Sequence, residues 1–130
     1  MLFDNCKNSK QQGNIGLGKA IQYFTLNGYT VSIPLNDSQD YDLIVDNGVL
    51  NKVQVKTTKY VSQYGIYKVN LRVGGGNSKR TYIRKTGQEV KYDLLFVLCD
   101  DGSQYVIPKS CIERNKNCLS LGEYYTQFKV

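Results

Sequence analysis

Three residues raise a chemical possibility: Asp42, and further along the chain Gln54 and Lys56. The Asp42 carboxylate, the Gln54 amide oxygen and the backbone carbonyl of Val55 are hard oxygen donors of the kind that hold magnesium, with positions left for water and a phosphate. Hydrolysing a phosphodiester needs a nucleophilic water, neutralisation of the charge building on the phosphate and help for the leaving oxygen, and a carboxylate-held divalent cation supplies much of this. Beside that cage, Lys56 would orient the water or stabilise the pentacovalent phosphate, with its pKa lowered only in a dry site. A neutral Gln54 in place of a carboxylate removes one negative charge from the cage, so metal binding is expected to be loose. The pattern has a plainer reading too. An aspartate followed about ten residues later by x-V-K occurs by chance in many solvated hairpins, with Gln54 and Lys56 simply alternating with buried Val53 and Val55.

The elements around these residues decide whether they meet. Tyr41–Val45 and Lys52–Thr57 are β-rich runs joined across Asp46, Asn47, Gly48, Val49 and Leu50. Leu43 and Val45 share one face of the first strand, Val53 and Val55 share one face of the second, and both pairs want the same core. A two-residue Asn47-Gly48 turn would set them on opposite faces, so an odd-length loop or a bulge with Gly48 left-handed is expected. Asp42, Gln54 and Lys56 then project together. Asp46 would share their face, but beside Asn47-Gly48 it reads as a turn residue.

Upstream, Gly13–Gly28 reads as a helix with Leu17, Ala20, Ile21 and Phe24 in one apolar stripe. Tyr29–Ile33 is strand-like, Pro34 ends it, and Asn36–Asp40 is a polar turn. Downstream, Gly65–Val73 reads as one strand, followed by the glycine-rich Gly74–Asn77 and then by Lys79, Arg80, Tyr82, Arg84 and Lys85. These basic residues suit a DNA backbone, with Tyr82 stacking or wedging among them. Leu94–Cys99 and Gln104–Ile107 form a second hairpin, Lys109–Arg114 a short helical turn, and Tyr124, Tyr125 and Phe128 stand at helical spacing near the end.

The 130 residues are enough for one core, so the whole chain, 1–130, is expected to form a single domain. No run approaches the ~20 apolar residues of a membrane span, and the polar start lacks a secretory core, which points to a cytoplasmic address away from membranes. Cys6, Cys99, Cys111 and Cys118 form no C-x-x-C pair and there is no histidine, which argues against a structural zinc. Reduced thiols are expected, with Cys99 packed in a strand. Charge is segregated. Residues 1–50 carry three Lys against five Asp, a net of −2, while the remainder carries fourteen Lys or Arg against six acids, a net of +8. Such an excess suits a polyanionic partner.

The wider pattern is more specific than the triad. Gly13-Asn14-Ile15-Gly16-Leu17-Gly18-Lys19-Ala20, Gly28-Tyr29-Thr30-Val31, Pro34, Tyr41-Asp42-Leu43-Ile44-Val45-Asp46, Val53-Gln54-Val55-Lys56-Thr57, Tyr92-Asp93-Leu94-Leu95-Phe96-Val97 and Tyr105-Val106-Ile107-Pro108 together resemble the small PD-(D/E)XK endonucleases associated with group I introns. The resemblance implies Asp42 as the motif's first aspartate, Gln54 in place of its Asp or Glu, and Lys56 as its lysine. It also implies an α/β restriction-endonuclease-like core, a mixed β-sheet flanked by helices, with the site at the sheet's edge and the first helix behind it. The implied activity is homing-type or resolvase-like DNA cleavage assisted by Mg2+, or Mn2+ in its place, by a homodimer or homotetramer. One departure stands out: many such nucleases carry a glutamate on the first helix where this chain has Leu17. A non-catalytic DNA-binding module of the same fold is the alternative.

Overall fold

The computed structural model describes residues 1–74, 81–82, 90–112 and 117–130. Helix α1 spans Ser9–Leu26, starting earlier than the apolar stripe alone suggests. Its start is set by a cap: the Asn8 side chain accepts from Gln11 N at 2.9 Å, and Gln11 reaches back to Lys7 N at 2.8 Å. It stops at Gly28 (φ +83°), where Gly28 N donates to Thr25 O and Tyr29 N to Phe24 O, closing a Schellman motif.

The strands follow as β1 (Thr30–Ser32), β2 (Leu43–Asp46), β3 (Leu50–Thr58), β4 (Lys68–Asn70), β5 (Val73–Gly74), β6 (Thr81–Tyr82), β7 (Leu94–Cys99), β8 (Gln104–Pro108) and β9 (Cys118–Ser120). Five of them make the main sheet in the order β1-β2-β3-β7-β8, with β3 and β7 parallel and the other neighbours antiparallel. The expected mixed α/β architecture is present. The site-bearing strand β3, however, is the middle strand of the five, not an edge. Parallel pairing with β7 explains this: Leu94–Cys99 is apolar on both faces and takes the interior of the sheet beside β3.

Two apolar clusters cover the two faces. Ala20 and Phe24 of α1, with Leu17 and Ile21 at the margin, pack on Leu43, Val45, Val53, Phe96 and Leu98. On the other face Leu95, Val97 and Cys99 meet Val69, Leu71, Tyr92, Ile107, Leu119 and Tyr125. The second cover comes from β4 paired with β9, and from the 3₁₀ turn Glu123–Phe128, which supplies Tyr125.

The run expected as one strand over Gly65–Val73 is interrupted twice. Gly65 has φ +74° in a tight turn in which Ser62 N donates to Ile66 O, and Arg72 N turns back onto the Asn70 side chain. Lys109–Cys111 makes the short helical turn; Arg114 lies outside the described residues.

Candidate active site

The β2–β3 hairpin sets the geometry. Leu43 pairs with Val53 and Asp46 with Leu50, so the loop is the three residues Asn47, Gly48 and Val49, with Gly48 at φ +107°. The odd loop brings Leu43, Val45 and Val53 to the α1 face together, as their hydrophobicity demands. Gln54 and Lys56 alternate to the opposite face, beside the inward-facing Leu95 and Val97 of β7. One step beyond the β2 ladder, Asp42 N still donates to Val53 O at 2.8 Å, which holds Asp42 across from Gln54. Asp46 accepts from Gly48 N at 2.8 Å and serves the turn.

A single oxygen of Asp42 collects two donors. Oδ2 accepts from Val55 N at 2.7 Å and from Gln54 Nε2 at 2.9 Å. The first bond has a backbone cause: β2 has ended, and the carboxylate takes over the ladder donor of β3 that the departing chain leaves open. Gln54 is buried, and its Nε2 also stands 3.4 Å from Val55 O, so the amide nitrogen lies between the carboxylate and that carbonyl. Lys56 points its ammonium at the backbone carbonyl of Arg72, 2.6 Å away.

Burial dominates the electrostatics of both charged groups. It pushes the Asp42 carboxyl above the ordinary aspartate value, against the opposing pull of the Val55 N–H and of the Lys56 charge. It lowers the Lys56 ammonium, against the attraction of Asp42. Each group thus holds the other partly in its charged form in a place that penalises both. Paired shifts of this kind mark sites where proton position matters.

The donor set is compatible with a small divalent cation. Asp42 supplies a carboxylate and Val55 a carbonyl, and the Gln54 amide supplies a third oxygen once it turns to present Oε1. Only one formal negative charge is involved, and among the described residues no group of three or more His, Cys, Asp or Glu side chains comes together. Helix α1 carries no acid at all, and Leu17 packs into the helix–sheet cluster.

Of the basic residues expected on DNA, Lys79, Arg80, Arg84 and Lys85 lie outside the described residues, as does most of Gly74–Asn77. The backbone of Tyr82 pairs with Val73 in the β5–β6 ribbon. Three residues to which sequence reasoning gave no individual role support β3 from behind or beside it. Gln12 Nε2 donates to Thr57 Oγ1 at 2.9 Å, Gly16 is pressed against Thr57, and the Arg72 carbonyl holds Lys56. A buried glycine inside a helical pattern is the one signal for this that the chain displays.

Cys99 is buried in β7, its thiol pushed up to about 12 by burial and then by Asp101, so it is an inert core residue. No helix among the described residues is long and apolar enough to cross a membrane.

No curated protein matches the sequence. Among solved structures, the chain is similar to the bacterial homing endonuclease I-Ssp6803I, with a TM-score of 0.71, 28% identity, and coverage of 89% of this chain and 79% of that one. The family model for PD-(D/E)XK endonucleases, whose members generally use a divalent metal, matches residues 7–122. With that match spanning the helix, the hairpin and both halves of the central sheet, the chain belongs to the PD-(D/E)XK endonuclease family.

Proposed function

We propose that this nuclease hydrolyses DNA phosphodiester bonds at a site made by Asp42, Gln54, Val55 and Lys56, in a homing-type or resolvase-like reaction. The supporting observation is the convergence of Asp42 with the Gln54–Lys56 segment on one face of the hairpin, two donors of that segment meeting one carboxylate oxygen. Asp42, the Val55 carbonyl and a turned Gln54 amide would hold Mg2+, or Mn2+ in its place; when bound, the cation supplies charge neutralisation and a more acidic water. Asp42 orients this cage; burial disfavours its charged form, and the Val55 N–H and then the Lys56 charge favour it. Lys56, released from the Arg72 carbonyl, donates hydrogen bonds to the phosphate oxygens as negative charge grows on them. A bond forms from water oxygen to phosphorus while the bond from phosphorus to the leaving sugar oxygen breaks. That oxygen is protonated as the water loses its proton.

Cutting both strands calls for a symmetric assembly with one site per strand, and a homodimer or homotetramer meets that need. A cytoplasmic address accords with four cysteines that are all free thiols. Leu17, at the helix position where the family resemblance implies an acid, packs into the helix–sheet cluster, which favours one rival reading, DNA binding without cleavage.

The test is cleavage of supercoiled and branched DNA with Mg2+ or Mn2+, run beside Asp42→Asn and Lys56→Ala proteins. Metal-dependent nicking or cutting that falls at least about a hundredfold in both variants is expected. DNA left intact by the wild type, but bound, promotes the rival; cutting that survives both changes places the site elsewhere.

A further inference from the structure

The contact that holds Lys56 carries a consequence for its neighbour. Lys56 Nζ lies 2.6 Å from the Arg72 carbonyl oxygen, and standard bond lengths then put Arg72 Cα within about 5 Å of the ammonium. The backbone there is tied by two hydrogen bonds. Leu71 is buried in the cluster under β4 and β9 and its N–H donates to Asn117 O at 2.9 Å, while Arg72 N donates to the Asn70 side chain at 2.8 Å. With Leu71 committed inward, Arg72 is exposed. Among the described residues its guanidinium has no carboxylate partner; the side-chain ion pairs there join Lys91 with Asp40 and Lys109 with Asp93.

We propose that Arg72 is a DNA-contacting residue, its guanidinium gripping a backbone phosphate at the position where the strand is cut. The proposal rests on the nuclease reading above. A cation with no carboxylate partner among the described residues, on a backbone tied by two hydrogen bonds and one side chain away from the candidate catalytic lysine, is placed to meet the same stretch of sugar-phosphate that Lys56 serves. The planar fork of arginine matches two non-bridging phosphate oxygens at once. The main-chain carbonyl of the same residue parks Lys56 in the free protein, so the two roles of Arg72 are separable: the carbonyl survives any side-chain substitution.

The experiment is equilibrium binding of a fluorescein-labelled 30-base-pair duplex in EDTA across a salt series. It uses the full chain as wild type, Arg72→Ala, Arg72→Lys and, as a charge control on the exposed surface of α1, Lys10→Ala, with melting temperatures measured for each. Arg72→Ala is expected to bind about tenfold more weakly at low salt, with a log–log salt slope shallower by about one. Arg72→Lys should keep the slope while losing part of the affinity, and Lys10→Ala should match the wild type. Wild-type binding with unchanged affinity and slope in Arg72→Ala overturns the inference alone, as does an equal loss in Lys10→Ala. Absence of DNA binding by a folded wild-type protein overturns both the inference and the nuclease reading.

Discussion

At the scale of single residues, Asp42 serves the backbone and the candidate chemistry with the same oxygen. Replacing it with alanine would strand the Val55 N–H, at a cost of about 1–3 kcal/mol, so loss of cutting in that variant would be ambiguous. Asparagine keeps an acceptor for both donors and removes only the charge. Because burial raises the Asp42 pKa, ionising the group disfavours the fold. That cost is absent below the ordinary value of 3.8, sets in as pH rises through the window above it, and is fully present beyond the raised folded value. In metal-free buffer, Asp42→Asn should therefore melt above the wild type at neutral pH, and the two curves should converge near pH 3. A variant that melts lower at pH 7 would contradict the assigned penalty. For Lys56 the sign reverses: its cost is present below the lowered folded value and vanishes above 10.5.

Gln54 makes a second test at this scale. Its amide nitrogen stands between Asp42 and the Val55 carbonyl, offering partial positive charge where a cation would sit. Gln54→Glu should lower the metal-free melting temperature, since two carboxylates would then face each other. The same variant should gain a larger Mn2+-induced rise in melting temperature than the wild type. Equal metal-induced shifts in the two proteins would remove Gln54 from the cage.

At the scale of elements, what matters is how closely α1 lies on β3. A Cβ added at Gly16 would collide with Thr57 Cγ2, on the residue after Lys56, while Cβ atoms at Gly13 or Gly18 would meet nothing within 4 Å. Three glycines in one helix thus carry opposite predictions. Gly18→Ala should stabilise by roughly 0.5–1 kcal/mol through helix propensity. Gly16→Ala should destabilise by about 1–3 kcal/mol, lowering Tm by roughly 4–12 °C, because β-branched Thr57 has little freedom to yield. Thr57→Ala should relieve part of that loss when combined with it, although by itself it forfeits the Gln12 bond. Thermal denaturation of the four proteins checks the signs, and a more stable Gly16→Ala would show that the helix rides free of the strand.

At the scale of the whole molecule, β7 is the shared wall of both apolar clusters. Phe96 and Leu98 face α1, whereas Leu95, Val97 and Cys99 face the β4–β9 side. We propose on this ground that the described elements unfold as one cooperative domain. Calorimetry should show a single transition with matching van't Hoff and calorimetric enthalpies, and Phe96→Ala should move it as a whole by about 3–5 kcal/mol. Two separable transitions would divide the chain.

The limits of sequence reading follow from the range of the forces involved. Local periodicity and turn chemistry were enough to place α1 (though not its start at Ser9), the odd loop at Gly48 and the shared face of Asp42, Gln54 and Lys56, because each depends on residues within one helix or one hairpin. The family pattern was legible for the same reason: it is written in those short runs. Hydrophobic pattern could not say that β3 lies mid-sheet, since an apolar run such as Leu94–Cys99 fits an interior strand without naming its partner. Nor could it show the break of Gly65–Val73 into a turn and a short strand, the pairing of Lys68–Asn70 with Cys118–Ser120, or the Arg72 carbonyl against Lys56. Those are settled only when distant segments close on one another, where loop entropy, packing volume and the need to satisfy each buried backbone group are decided together.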